Sequence, residues 1–166
     1  MEQTRMLKRN PESTKTISRP QPKVEQAKPE PTTNSSVGGS SLDTMVSACV
    51  TELMNAATSF HKLHLKVTGV GSFAAHKALN ELYDALPGHA DDLAEGYQGA
   101  AERILEYTEA SPRTLASPTE GLSYIRDLIT MVTGLQAKMP YSEIVNDLDL
   151  VKSSLNSTKY KLLFLK

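Results

Sequence analysis

The chain has one cysteine, no tryptophan and only three phenylalanines in 166 residues. A single thiol cannot build a disulfide framework or a thiolate zinc cluster, so a reducing compartment is the expected setting. No apolar run approaches the ~18–20 residues of a spanning helix, so no membrane association by that route is expected. The first 30 residues also lack the apolar core of a secretory signal. Neither sign of charge dominates, with 18 Lys and Arg against 19 Asp and Glu. That balance argues against nucleic acid or anionic membrane being bound over the whole surface. What is present is unevenly placed, because all four histidines fall between His61 and His89.

The even balance also hides a split. Residues 1–42 carry seven basic residues and four glutamates, five of the nine prolines and no aromatic residue, and end in Val37-Gly38-Gly39-Ser40-Ser41. Such a segment buries too little apolar surface to offset the entropy of ordering it, so a disordered, mildly basic tail is expected. Residues 43–166 are expected to be the folded, net acidic part.

That part reads as helices. From Asp43 the positions Val46, Val50, Leu53, Ala57, Phe60, His64 and Val67 step by four and three, and Gly69-Val70-Gly71 ends the run. A second stripe includes Phe73, His76, Asn80, Tyr83, Ala90, Ala94, Tyr97 and Ile104, with a kink or break expected at Pro87-Gly88. Ser117-Pro118-Thr119-Glu120 is a capping box with proline at the first helical position, and opens a third stripe running to Met139. A fourth runs from Ile144 to Leu165. Short links after the first helix and around Pro140 predict two antiparallel hairpins, and the stretch before Ser117 is long enough to cross a bundle. The expected fold class is all-α: a ferritin-like four-helix bundle with one long crossover behind a disordered N-terminal tail, with a simple up-down-up-down bundle as the competitor that loop length alone separates weakly.

Four residues draw attention for chemistry: His64, His76, Asp91 and Glu95. His64 stands where the apolar stripe calls for leucine. His76 shares a helix face with Asn80, and Asp91 shares one with Glu95. Imidazole with carboxylate oxygen suits iron, manganese or zinc. Eleven residues of straight helix from Asn80 to Asp91 would span about 16 Å, too far for one ion. Either Pro87-Gly88 folds the helix back, or the two pairs come from different subunits about a two-fold axis.

The run His64-Leu-Lys-Val-Thr-Gly69, followed by Phe73-Ala-Ala-His76, Glu81-Leu-Tyr83 and His89-Ala-Asp91-Asp-Leu-Ala-Glu95, resembles the Dps-type mini-ferritins. The resemblance implies a ferroxidase centre at a dimer interface, with iron (Fe2+/Fe3+) as the metal. His64 and His76 would come from one subunit, with Asn80 at a position usually occupied by aspartate, and Asp91 and Glu95 from its mate. It further implies Fe(II) oxidation by peroxide or dioxygen, iron storage, a homo-oligomer up to a hollow dodecamer, and DNA protection. Weak phosphate contacts would then come from Arg5, Lys8, Arg9, Lys15 and Arg19 in the tail. The competing expectation is a ferritin-like helical bundle serving as a structural or assembly component, for example of a virion or other particle, with a degenerate metal site and the tail as tether. The setting would be cytoplasmic in the first case and inside a particle in the second. His61 and His89 read as surface imidazoles, and Cys49 as a small buried hydrophobe.

Overall fold

A computed structural model describes residues 41–165. The tail reading, its phosphate-contacting residues (Arg5, Lys8, Arg9, Lys15 and Arg19) and its role as tether lie outside the described residues. Four helices occupy most of the remainder: α1 (Ser41–His64), α2 (Ser72–Ala101), α3 (Pro118–Gln136) and α4 (Ser142–Phe164). Ser41 and Leu42, expected in the tail, are the first residues of α1. Among the described residues no helix is long and apolar enough to cross a membrane.

The stripes meet along one axis. Leu53, Phe60, Leu79, Leu86, Ile125 and Leu148 are among the side chains fully withdrawn from solvent. Helix α1 packs on α2 and α3, and α4 packs on α2 and α3, which makes a four-cornered bundle. Tyr97 bonds Asp43 at the start of α1, so the end of α2 lies beside it. Gly121 lies close to Phe60 and Leu63, so α3 begins where α1 ends. The order is therefore two antiparallel hairpins joined by one crossover that travels the length of the bundle.

That crossover, residues 102–117, is fastened by a matched set of hydrogen bonds. Ser47 Oγ donates to the carbonyl of Glu106 at 2.7 Å, Thr51 to that of Thr108 at 3.1 Å, and Asn55 to that of Ala110 at 3.0 Å. Four helical residues rise about 6 Å and two extended residues cover about 6.6–7.2 Å, so the donors and acceptors stay in step. Arg103 anchors the start of the crossover on Asp43. Arg113 anchors its far half on Glu52 and Asp127, with the guanidinium 4.0 Å from the centre of the Tyr124 ring. The side chains of Leu105 and Leu115 are buried at either end.

Local signals explain the ends of the helices. Gly69 (φ 86°) and Gly71 (φ 76°) take the left-handed conformation in the α1–α2 turn, which a side chain would strain. Ser117 Oγ accepts from Glu120 N at 3.3 Å as expected of the cap, and the Glu120 carboxylate reaches back one residue beyond it to accept from Ala116 N. Helix α2 stops where Glu102 turns left-handed and its N–H bonds back to Gln98.

Several expectations need correction. Pro87 neither breaks nor ends α2, which runs through it for 30 residues. Pro87 and Gly88 face solvent while Leu82, Leu86, Ala90 and Leu93 stay buried, so water can satisfy the carbonyl the proline leaves free. Phe73 (78% exposed) and Ile104 (83% exposed) lie outside the core, the first in the opening turn of α2 and the second beyond its end. Helix α3 ends at Gln136, although Met139 is buried just after it.

Candidate functional site

The end of α1 and the start of α2 bring two of the five expected metal ligands together. His64 is buried at 6% exposure and its ring stacks on the exposed His76, with centroids 3.6 Å apart. Each Nδ1 faces the other residue's carbonyl, at 3.0 Å for His64 on His76 and 3.2 Å for the reverse. A carbonyl only accepts, so each imidazole carries a proton on Nδ1, which leaves Nε2 as the acceptor of the neutral ring. The His64 carbonyl is one of the orphan acceptors at the end of α1, and the His76 ring closes it. A second stack stands beside the first, His61 on Tyr83 at 4.0 Å. The Tyr83 hydroxyl donates to Asn80 Oδ1 at 2.9 Å, so the amide oxygen expected at a metal already holds a proton donor.

Asp91 and Glu95 are not part of this cluster. They are exposed on the unbroken α2, and Asp91 lies fifteen residues beyond His76, about 22 Å along a straight helix. The fold-back that could have joined the two pairs within one chain is thus removed. Among the described residues no group of three His, Cys, Asp or Glu side chains could hold a metal ion. One chain offers iron two imidazole nitrogens and no carboxylate, a donor set that does not fit it.

Other polar groups have structural partners. Half-buried His89 has Nε2 2.9 Å from Ser154 Oγ, tying α2 to α4. Burial holds its pKa below the ordinary 6.5, against the opposing pull of Asp92 and Asp147. Burial also pushes the Cys49 thiol up to about 12, assisted by Glu52, so it remains an unreactive core group. Glu81, beside Asn80, pairs with Lys161 of α4.

The same end of the bundle carries a feature that the ligand search missed. The α1–α2 turn, the start of α3 and the end of α4 surround a cavity of about 260 Å³, whose wall mixes Val67, Leu122 and Leu162 with Thr68, Ser72 and Thr119. Val70 of its wall is 100% exposed, and Leu65 (72%), Phe73 and Phe164 (68%), close in the chain to lining residues, are exposed at the same end. Lys62, Lys66 and Lys77 are exposed beside them, and none pairs with a described carboxylate. The signal was legible: residues 53–80 contain no Asp or Glu at all. At the opposite end lie Asp91, Glu95, Glu102, Glu106, Glu143 and Asp147, beside the exposed Ile104.

Residues 64–162 match the model of a family of unknown function, DUF5856. The chain belongs to that family. A relative in Enterobacteria phage T4, described as an uncharacterized 14.6 kDa protein in the mobD-ri intergenic region, is 28% identical over 110 residues. That alignment covers 66% of this chain and 81% of the relative. No solved structure matches the chain. The resemblance to Dps-type mini-ferritins is therefore corrected. The stretch that carried it, His64 to Glu95, lies within the DUF5856 match, and neither that family nor the phage relative points to a ferritin. His64, His76, Asp91 and Glu95 keep the helical intervals of a ligand set, but within one chain the two pairs do not meet.

Proposed function

We propose that this DUF5856 chain is a structural component that self-assembles, and that its basic apolar end is where copies join. One observation carries the reading: Leu65, Val70, Phe73 and Phe164 are exposed at the end of the bundle that holds a cavity with valine and leucine in its wall, among lysines with no described carboxylate partner. Singly exposed apolar residues need no explanation, but a grouped set rimmed by charge marks an association surface. The cavity is smaller than the ~300–1,000 Å³ usual for small-molecule sites, and suits an anchoring side chain better than a cofactor. Because the T4 relative is a phage protein, we take the assembly to be a virion or similar particle. Deuterium uptake at the amides of residues 65–75 is expected to fall as protein concentration rises. Uptake independent of concentration would remove the reading.

A second reading rests on the reciprocal His64–His76 bonds, which leave two Nε2 atoms free and their rings fixed. Such an outer hydrogen bond is the usual support of a metal-bound imidazole. Iron would require the carboxylates of Asp91 and Glu95 from another copy, so any uptake must depend on association. Calorimetric titration with Fe(II) under anaerobic conditions should give no saturable binding to monomer and a loss of binding in His76→Ala. Saturable binding unaffected by His76→Ala would end this reading.

A further inference from the structure

The bundle is electrically polar along its axis. Lys62, Lys66, Lys77, Lys159 and Lys161 outnumber Glu81, Asp84 and Glu120 in the half that holds the cavity, while Asp91, Asp92, Glu95, Glu102, Glu143 and Asp147 outnumber Arg103, Lys138 and Lys152 in the other. Each end also exposes apolar surface: Phe73 and a cavity with Val70 in its wall at one, and Ile104 at the other. Ile104 stands two residues after the left-handed Glu102 that stops α2, and it is 83% exposed between Arg103, whose guanidinium is paired with Asp43, and the buried Leu105, with Glu102 and Glu106 two residues away on either side. A branched aliphatic side chain on a net acidic end complements a cavity with valine and leucine in its wall on a net basic end. Both halves of a matched contact are therefore present on one molecule, at opposite ends.

We propose that the basic apolar end of one copy receives the acidic end of a second, with Ile104 as the side chain that enters the cavity. This rests on the self-assembly reading above and adds its geometry. Pairing like ends would bring the lysines of two copies together, and like charges across an interface are unfavourable. Pairing unlike ends places lysines against carboxylates and buries apolar surface on both sides. The contact is heterologous, so each added copy presents a fresh acceptor end and the assembly grows as a row. Charge steers the encounter and salt screens it, which ties association to ionic strength.

Complementation by two variants tests this. Val70→Asp with Phe73→Asp spoils the cavity end only, and Ile104→Lys spoils the acidic end only. All three side chains are exposed, and circular dichroism should show native helix content in both variants. In sedimentation velocity at low salt, each variant alone is expected to run as a monomer while the wild type associates. An equimolar mixture should form a one-to-one dimer, since one variant keeps a working cavity end and the other a working Ile104 end. That dimer should dissociate at high salt. If Ile104→Lys associates as the wild type does while the Val70/Phe73 variant does not, copies join by like ends. The head-to-tail contact is then wrong, although the self-assembly reading stands. A wild type that stays monomeric at every concentration overturns both.

Discussion

His89 connects the chemistry of one side chain to the stability of the whole chain. Its pKa lies below the ordinary 6.5 because burial penalises the charged ring. The unfolded chain therefore takes up a proton first as acid is added. The stability that His89 supplies is complete above about pH 6.5 and is lost as pH falls below that value, until the folded ring protonates too. His89→Gln should flatten this part of the stability-versus-pH curve, measured by urea unfolding between pH 5 and pH 8. A curve unchanged by the substitution would remove His89 as its source. At this scale the sequence was a partial guide. His64 and His76 could be paired by helical spacing, but the reciprocal carbonyl bonds depend on where the glycine turn sets α2, and spacing does not contain that.

Pro87 and the crossover are where elements departed from local preference. A proline inside a helix removes one hydrogen bond and costs roughly 3 kcal/mol, yet α2 runs through it because both flanks bury a continuous leucine face. Pro87→Ala should keep the fold and raise unfolding stability by about 1–3 kcal/mol. A loss of stability would mean that the proline is required here. The long connection was legible from its length alone, while its fastening was not. Ser47, Thr51 and Asn55 look like ordinary polar positions on the outer face of α1 until a chain is laid across them. Ser47 is buried and makes two of the bonds, donating to Glu106 O and accepting from Thr108 N. Ser47→Ala should cost about 1–3 kcal/mol, because both backbone groups lose their partner. Hydrogen exchange should then accelerate in residues 105–115; acceleration confined to α4 would contradict the crossover role.

For the whole molecule, the helical periods gave four helices, while connection length separated two hairpins joined by a crossover from a simple up-down bundle only weakly, and the fastened crossover decides for the former. Periods and lengths did not reveal the polarity of the bundle, because charges distant in sequence gather at one end only after the helices are laid antiparallel. Phe73 and Ile104 show the same limit. Both fit a helical stripe by number, and both lie outside the core, at opposite ends. Their exposure is what makes an assembling component a better reading than a solitary enzyme. The lysine-rimmed end around Val70 and Phe73 is the centre of that account, and sedimentation velocity at low salt and rising protein concentration tests it most directly. The wild-type weight-average coefficient should climb with concentration, while that of a Val70→Asp, Phe73→Asp variant of equal helicity stays at the monomer value. Identical curves for the two proteins would contradict the account.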